Sequence, residues 1–450
     1  MKRSLIFVIA LISLLATATA VGQNPPPLPS AASFFSLNIN KLSDPWPTQL
    51  HANFGILRTL GADLIWSQLE PCEPADETNV SDPCYAWNTN SHFDRVISTA
   101  TQNGQDILYT AYYTPTWASQ NPSDVCANNL GYGGCWPPVD VSSGDLHWKH
   151  FLAALYKHVA SLPQAGGRQP YIKYWECWNE PDIPSEYYAF TAPGLAQLNT
   201  LCQDLHNTIH SLDPNAKFTT PAPTSVQGVA NWMSQWVGAG YANEADYIAF
   251  HGYLCSNINK CYNQPEDVVS KVITPLRTAL AHTPAARLPL WDTEGGAHGS
   301  NLQPDMHAAF ISRFMLVQQS AHVSAVSYFG WDFDNINLID NPGDGATLNP
   351  AGVAWQQLYN WTVGQGIRTT FPCINTSGTV WQCKSVINGK NNLMVWDTSQ
   401  TTLPCANGAC GTTIFPVPSG YSEFDDLTGN VNQRISGNSV LIGMKPIRLH

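Results

Sequence analysis

Residues 174–182 read Tyr-Trp-Glu-Cys-Trp-Asn-Glu-Pro-Asp, an aromatic run that ends in Asn179 and Glu180 before Pro181. A second apolar run, Leu288-Pro-Leu-Trp-Asp-Thr-Glu294, ends in another glutamate 114 residues later. Both read as buried strands that deliver a carboxyl group to a rim. Two glutamates at the C-terminal tips of separate strands are the minimal equipment for cleaving a glycosidic bond. One carboxyl must keep its proton near neutral pH, through burial or a neighbouring charge, and give it to the leaving oxygen. The other must stay ionised, helped by a cation or by hydrogen-bond donors. Glu180, in the aromatic strand, fits the acid, and Glu294 fits the anion.

The segments that must position these groups alternate along the chain. Phe34–Asn40, Gly55–Thr59, Asp106–Tyr113, Ile172–Glu180, Lys217–Ala222, Tyr247–Tyr253, Leu288–Glu294 and Ala325–Trp331 are short, apolar and rich in aromatic and β-branched residues, as strands are. Leu146–Leu162, Leu195–Leu212, Val268–Ala281 and Met306–Gln319 carry apolar residues at helical spacing, and a last helix starts at Asn349-Pro and runs to about Gly364. Eight strands with helices between them predict a closed (β/α)8 TIM barrel over 33–364; an open doubly wound sheet lacks support, because no GxGxxG follows an early strand. Residues 365–450 are rich in Thr, Ser, Asn and Gly and show only short alternating stretches, which predicts a small C-terminal β-sandwich. A structural buttress for the barrel is its expected role, with independent glycan binding as the alternative.

Active-site residues of such barrels sit at the C-terminal ends of the strands. Those ends carry Arg58, Tyr112, Tyr113, Asn179, Glu180, His251, Tyr253, Glu294 and Trp331, with Trp117 just after the third strand. Arg58 and Tyr253 are candidate donors to Glu294, Asn179 is suited to a ring hydroxyl, and Trp331 to the floor beneath a sugar. Tyr113 and Trp117 are candidate walls of the pocket. Glu176 reads as a structural carboxylate that would need partners if it pointed inward. Asp292 and Asp332 read as supporting or loop residues, and Glu70 and Glu73 as solvated.

Bulk properties set the context. Lys2 and Arg3, the apolar run Leu5–Leu15 and the exit Ala18-Thr-Ala20 form a secretory signal peptide over 1–20, followed by a Pro-rich leader over 21–32. Secretion, or export to a periplasm, follows. No later run is long enough for membrane insertion. The formal net charge is −12 and charged residues make up 12% of the chain, which argues against nucleic acid. The 16 Trp and 17 Tyr offer stacking surfaces suited to a carbohydrate partner. Ten of the twelve cysteines fall into close pairs, Cys72–Cys84, Cys126–Cys135, Cys255–Cys261, Cys373–Cys383 and Cys405–Cys410, as expected of an exported chain. Cys177 and Cys202 are either buried thiols or a strand–helix bridge. No CxxC pair occurs, which speaks against zinc, and the chemistry needs no cofactor.

Trp178-Asn179-Glu180-Pro181 resembles the acid/base motif of clan A glycoside hydrolases, the retaining (β/α)8 enzymes. The resemblance covers about 33–364. It implies an acid/base glutamate after an Asn at the end of the fourth strand and a nucleophilic glutamate at the end of the seventh, where Glu180 and Glu294 stand. His251-Gly-Tyr253 is similar to the clan's sixth-strand motif, whose Tyr bonds the nucleophile. Trp331 is similar to its eighth-strand Trp, and Arg58 to its arginine near the nucleophile. Ile107-Leu-Tyr-Thr, Pro115-Thr-Trp117-Ala and the C-terminal module resemble glycoside hydrolase family 39 and relatives such as β-xylosidases, iduronidases and some exopolysaccharide endoglycosidases. The loops, including that bracketed by Cys126 and Cys135, follow no family pattern, so sugar, linkage and endo or exo action stay open, as does oligomeric state. The expected function is retaining hydrolysis of O-glycosidic bonds; a transglycosylase with the same residues, or a carbohydrate-binding protein that has lost turnover, are the competing readings.

Overall fold

Eight short parallel strands follow one another around a barrel: β1 (Phe35–Ile39), β2 (Ile56–Thr59), β3 (Asp106–Ala111), β4 (Tyr174–Cys177), β5 (Lys217–Thr219), β6 (Ile248–His251), β7 (Leu290–Gly295) and β8 (Val323–Tyr328). The computed structural model describes residues 32–39, 53–59, 64–87, 92–126, 132–184, 186–188, 192–224, 228–254, 264–296, 302–331, 336–338, 347–364, 367–370, 372–387, 389–400 and 411–450. The signal peptide, nearly all of the leader, Asp332 and the pairs Cys255–Cys261 and Cys405–Cys410 lie outside these residues. The strand order is β5-β4-β3-β2-β1-β8-β7-β6, and the parallel bridges Thr219–Tyr247 and Thr224–His251 join β5 to β6, so the sheet closes.

Both faces of a parallel barrel strand are covered, which is why these runs are apolar throughout. Ile56, Leu108, Tyr174, Trp291 and Ala325 pack together inside as a dry layer. Side chains two residues further along each strand share that face. On the strands that alternate regularly they are Arg58, Thr110, Glu176 and Ser327, and all are buried. The barrel interior therefore changes from apolar to polar within one step toward the C-terminal rim.

The helices are α1 (Trp66–Leu69), α2 (Phe93–Gln102), α3 (Leu146–Ser161), α4 (Ala192–Leu212), α5 (Val229–Gly238), α6 (Thr274–Leu280), α7 (Pro304–Ser320) and α8 (Pro350–Tyr359). Asn349 caps α8 as its Asn-Pro start implies, accepting from the N–H groups of Ala351 and Gly352 at 2.9 and 3.0 Å. α5 was not anticipated among the helices, although Val229, Trp232, Met233, Trp236 and Val237 form its buried stripe. The helix expected over Val268–Ala281 is present as one continuous helical run, in which a π-helical turn, Val269–Ile273, leads directly into α6. Pro275 has no N–H to give the preceding turn, which suits the widened turn there. Cys177 and Cys202 form a disulfide that ties β4 to α4. Cys72–Cys84, Cys126–Cys135 and Cys373–Cys383 are also bridged.

The C-terminal module is a small β-sandwich of antiparallel sheets. Strands β9 (Ile367–Thr370), β10 (Ile374–Asn375), β11 (Val380–Ile387), β12 (Lys390–Asp397), β14 (Glu423–Asp425), β15 (Gln433–Arg434) and β17 (Ile447–Leu449) form one sheet, and β13 (Gly411–Pro416) pairs with β16 (Ser439–Gly443). Its residues Cys383, Met394, Trp396 and Leu427 merge with the main core. In consequence α7 is buried on every side from His307 to Gln319, between barrel and sheet.

Candidate active site

Arg58 is the hub of the polar layer. It ends up fully buried because β2 alternates it into the barrel above Ile56. A buried guanidinium is tolerable only when its donors are matched. Its Nη1 donates to Glu294 Oε2 at 2.6 Å and to Asn38 Oδ1 at 3.3 Å. Its Nε donates to Glu176 Oε1 at 2.9 Å, its Nη2 also contacts that oxygen, and Nη2 donates to Asn179 Oδ1 at 3.0 Å. Glu176 is thus the buried counter-charge beneath the site, and Thr110 Oγ1 donates to it at 2.9 Å.

Glu294 would point outward if β7 alternated strictly from Trp291, alongside Asp292. Register shifts against both neighbouring strands, at Phe250/His251 and between Asp292 and Gly295, mark an irregularity that re-aims it. Asp292 stays on the outer side, where it accepts from Gln318 Nε2 at 2.7 Å and from Gly252 N–H at 2.8 Å. Glu294 faces the cavity, with Tyr253 Oη donating to Oε1 at 2.7 Å and Arg58 holding Oε2. Both oxygens of this carboxylate are therefore held by strong donors.

Around Glu180 the chain leaves β4 in an unusual path. Trp178 has φ 67° and Glu180 φ 41°, both in the left-handed region that non-glycine residues avoid. Such strain at a cost of about 1–3 kcal/mol per residue is typical of functional turns. The turn is held by the main-chain bonds Trp178 N–H to Ala111 O and Glu180 N–H to Ala222 O at 2.9 and 3.1 Å. Glu180 Oε1 lies 2.8 Å from His251 Nδ1. Burial, reinforced by Asp182, pushes Glu180 up to about 8 despite the opposing pull of Arg58. Burial likewise pushes His251 down to about 4, so its ring is neutral. Arg58 Nη2 sits 3.4 Å from His251 Nε2, and a guanidinium can only donate. Nε2 is therefore the acceptor and Nδ1–H donates to Glu180 Oε1, so among the described residues Glu180 Oε2 is open to a ligand.

Carboxylate oxygens of Glu180 and Glu294 and a ring nitrogen of His251 all lie within 4.8 Å of one another. The side chains of Glu180 and Glu294 are 16% and 9% exposed, whereas Arg58 and His251 are sealed beneath them. The two acids thus share one opening. Three ligand atoms at this spacing suit a metal by distance alone. Arg58 and Tyr253 already fill both oxygens of Glu294, however, and the guanidinium would repel a cation.

Of the residues expected at the site, Arg58, Asn179, Glu180, His251, Tyr253 and Glu294 form one connected network. Trp331 is fully buried and joins it through the main chain, its N–H donating to Asn38 O at 3.0 Å. Tyr113 is fully enclosed, with Gly134 packed so tightly on its ring that a Cβ there would fall 1.9 Å from the ring atom Cε1. Trp117 is half-buried and donates to Glu70 O at 3.0 Å, next to His147. Glu70 is a correction. It was expected to be solvated, yet it is 1% exposed and accepts from Trp66 Nε1 at 2.5 Å, because α1 folds the loop inward; Glu73 is exposed as expected. Asn38 and Asp182 belong to the site and were not singled out from the sequence. Asn38, at the end of β1, was findable by the same strand-tip rule. Asp182 receives the N–H and hydroxyl of Thr224 at 2.8 and 3.1 Å, a contact no spacing reveals.

Residues 153–361, from within α3 to beyond α8, match the family model of the glycosyl hydrolase catalytic core. Over those residues the barrel is similar to a glycosyl hydrolase catalytic core, and the protein is a glycosidase. This glycosidase shares its fold with the glycoside hydrolase family 39 enzyme from Xanthomonas axonopodis pv. citri, at 13% identity and a TM-score of 0.59 over 97% of this chain and 99% of that one. The monomeric β-xylosidase from Caulobacter crescentus CB15 is similar at 14% identity and TM-score 0.58, covering 95% and 97%. The family 30 subfamily 8 xylanase Xyn30A from Clostridium acetobutylicum gives 14% and 0.58, covering 92% and 95%. At such identities the likeness speaks for the fold, including the C-terminal module, and not for the substrate. No curated protein matches the glycosidase chain. Among the described residues no helix is long and apolar enough to cross a membrane.

Proposed function

We propose that this glycosidase is an exported, retaining enzyme that works by double displacement, with Glu294 as nucleophile and Glu180 as acid/base. The observation that carries this reading is the separation of their carboxylate oxygens, within 4.8 Å. Retaining enzymes hold their carboxyl groups ~5–5.5 Å apart, whereas inversion needs ~6.5–9.5 Å to admit a water. Glu294 attacks the anomeric carbon, and the bond to the leaving oxygen breaks as that oxygen takes the proton of Glu180. Water then loses a proton to Glu180 and attacks the same carbon, releasing Glu294. Arg58 and Tyr253 stabilise the Glu294 charge before and after each step, and Asn179 and Trp331 hold the sugar. Tyr113 and Trp117 support the walls. Four disulfides among the described residues and the charged-then-apolar N-terminus support export.

Two of the similar structures are a β-xylosidase and a xylanase, so 4-nitrophenyl β-xyloside heads the panel of aryl glycosides to test. Glu294→Gln should abolish turnover, and Glu180→Gln should lower kcat by about 10²–10⁴-fold. NMR of the first-formed product should show the anomeric configuration of the substrate. Inverted product, or two variants as active as wild type, would sink the mechanism. Wild type inert across the panel yet binding glycans would favour the binding protein.

A further inference from the structure

A further carboxyl group stands at this site that the mechanism above does not use. Glu186 follows Glu180 by six residues, in the loop after β4. The loop is pinned where Trp178 Nε1 donates to Glu186 O at 2.8 Å and Glu186 N–H to Ile183 O at 2.9 Å. The Glu186 side chain hydrogen-bonds Asn179, the residue next to the acid/base. Asn179 Oδ1 is already taken by Arg58, so its amide N–H is what Glu186 accepts. That uses one carboxyl oxygen. The other, Oε2, is shut off from solvent and has no hydrogen-bond partner among the described residues. A buried polar atom without a partner is costly, and at a site it marks the place of a ligand group.

We propose that Glu186 is a substrate-binding residue, whose free oxygen hydrogen-bonds a hydroxyl of a neutral sugar ring held between Glu180 and Glu294. The inference rests on the double-displacement reading and deepens it by naming the class of glycon. Burial, with Glu180 and Glu294 adding to it, pushes Glu186 up to about 8, so at neutral pH it is a neutral carboxylic acid able to donate. Asn179 then orients the acid from one side while Arg58 orients Asn179 from the other. The cation of this network, Arg58, is wholly occupied by Glu176, Glu294, Asn179 and Asn38. A uronate would bring a negative charge beside Glu294 with no free counter-charge among the described residues, so a neutral glycon is the one that fits.

The test uses the full chain and the neutral 4-nitrophenyl glycoside that wild type cleaves fastest, with 4-nitrophenyl β-glucuronide as the charged counterpart. Glu186→Ala should raise KM by about tenfold and leave kcat little changed, as loss of one binding hydrogen bond does. Glu186→Gln keeps an acceptor for Asn179 and a donor for the sugar, and should restore KM to near the wild-type value. The glucuronide should not be cleaved. A Glu186→Ala KM equal to wild type, a defect that Glu186→Gln fails to repair, or efficient glucuronide cleavage overturns the proposal. Should Glu186→Ala fail to fold, Glu186→Asp replaces it, and an unchanged KM there overturns it equally. Glu294→Gln runs alongside: if it is dead while Glu186→Ala is normal, only the role of Glu186 falls, whereas an active Glu294→Gln removes double displacement itself.

Discussion

Two glutamates of similar chemistry are driven to different states by what touches them. Glu294 has a guanidinium on one oxygen and a phenol on the other, while Glu180 has a neutral imidazole on one oxygen and little water around it. Glu180 must hold its proton to act as the acid. Burial raises it to about 8, so kcat/KM should stay level up to that pH and fall about tenfold per unit above it. A pH–rate profile that already declines near pH 5 would contradict this assignment. Arg58 is the most consequential single residue. Arg58→Met would strand Glu176, wholly buried, without its cation, at a cost of roughly 3–5 kcal/mol in urea unfolding. Arg58→Lys would keep a charge but lose the fork that spans Glu176, Glu294 and Asn179, so it should fold better than Arg58→Met and still turn over poorly. At this scale the residue types at strand tips were legible from the chain: Glu180, Glu294, Arg58, His251, Tyr253 and Asn179 all converge. Glu186 was not, because its loop carries no periodic pattern and its meaning lies in a contact with Asn179.

Elements act on the site through the tips they present. β4 leaves the sheet through two left-handed residues, and β7 carries an irregularity that turns Glu294 inward. Neither is visible in an alternating pattern, since a one-residue shift reverses which face a side chain takes. The apolar runs themselves were readable, as were α3, α4 and α7 to within a few residues. Val268–Ala281 is helical as its spacing implies, but with a π-helical turn ahead of Pro275, whose missing N–H no periodic pattern reports. The Cys177–Cys202 bridge anchors β4 to α4 just before Glu180. Closing a 25-residue separation should contribute about 3.5 kcal/mol through the unfolded chain. The double variant C177A/C202A should therefore lose about that much in denaturant unfolding while keeping kcat at 25 °C. An equally stable variant would show that the bridge is energetically idle.

Barrel and sandwich behave as one body in their contacts. Glu266, before α6, accepts from Arg313 of α7 through Nε and Nη2 at 2.7 and 2.6 Å, and from Trp396 Nε1 of β12 at 2.6 Å. Lys445 reaches Asp305 at 2.9 Å, and Cys383 and Trp396 share the main core. Arg313→Met should leave Glu266 charged and short of partners, costing roughly 3–5 kcal/mol. Calorimetry should then show one transition moved to lower temperature. Two separated transitions, with the barrel unmoved, would mean the module is an independent passenger and not a buttress. The linear chain settled what a local rule can settle: short apolar runs at regular intervals, a glutamate at two tips, and a change of texture after Gly364. Strand propensity and helical spacing are properties of neighbours along the chain. Which oxygen of Glu180 faces His251, how close it comes to Glu294, why Glu176 and Glu70 are buried and why Glu186 Oε2 is shut off are properties of neighbours in space. Those were decided only when closure of the sheet brought residues more than a hundred positions apart into one poorly hydrated cavity, where each charge is set by the groups beside it.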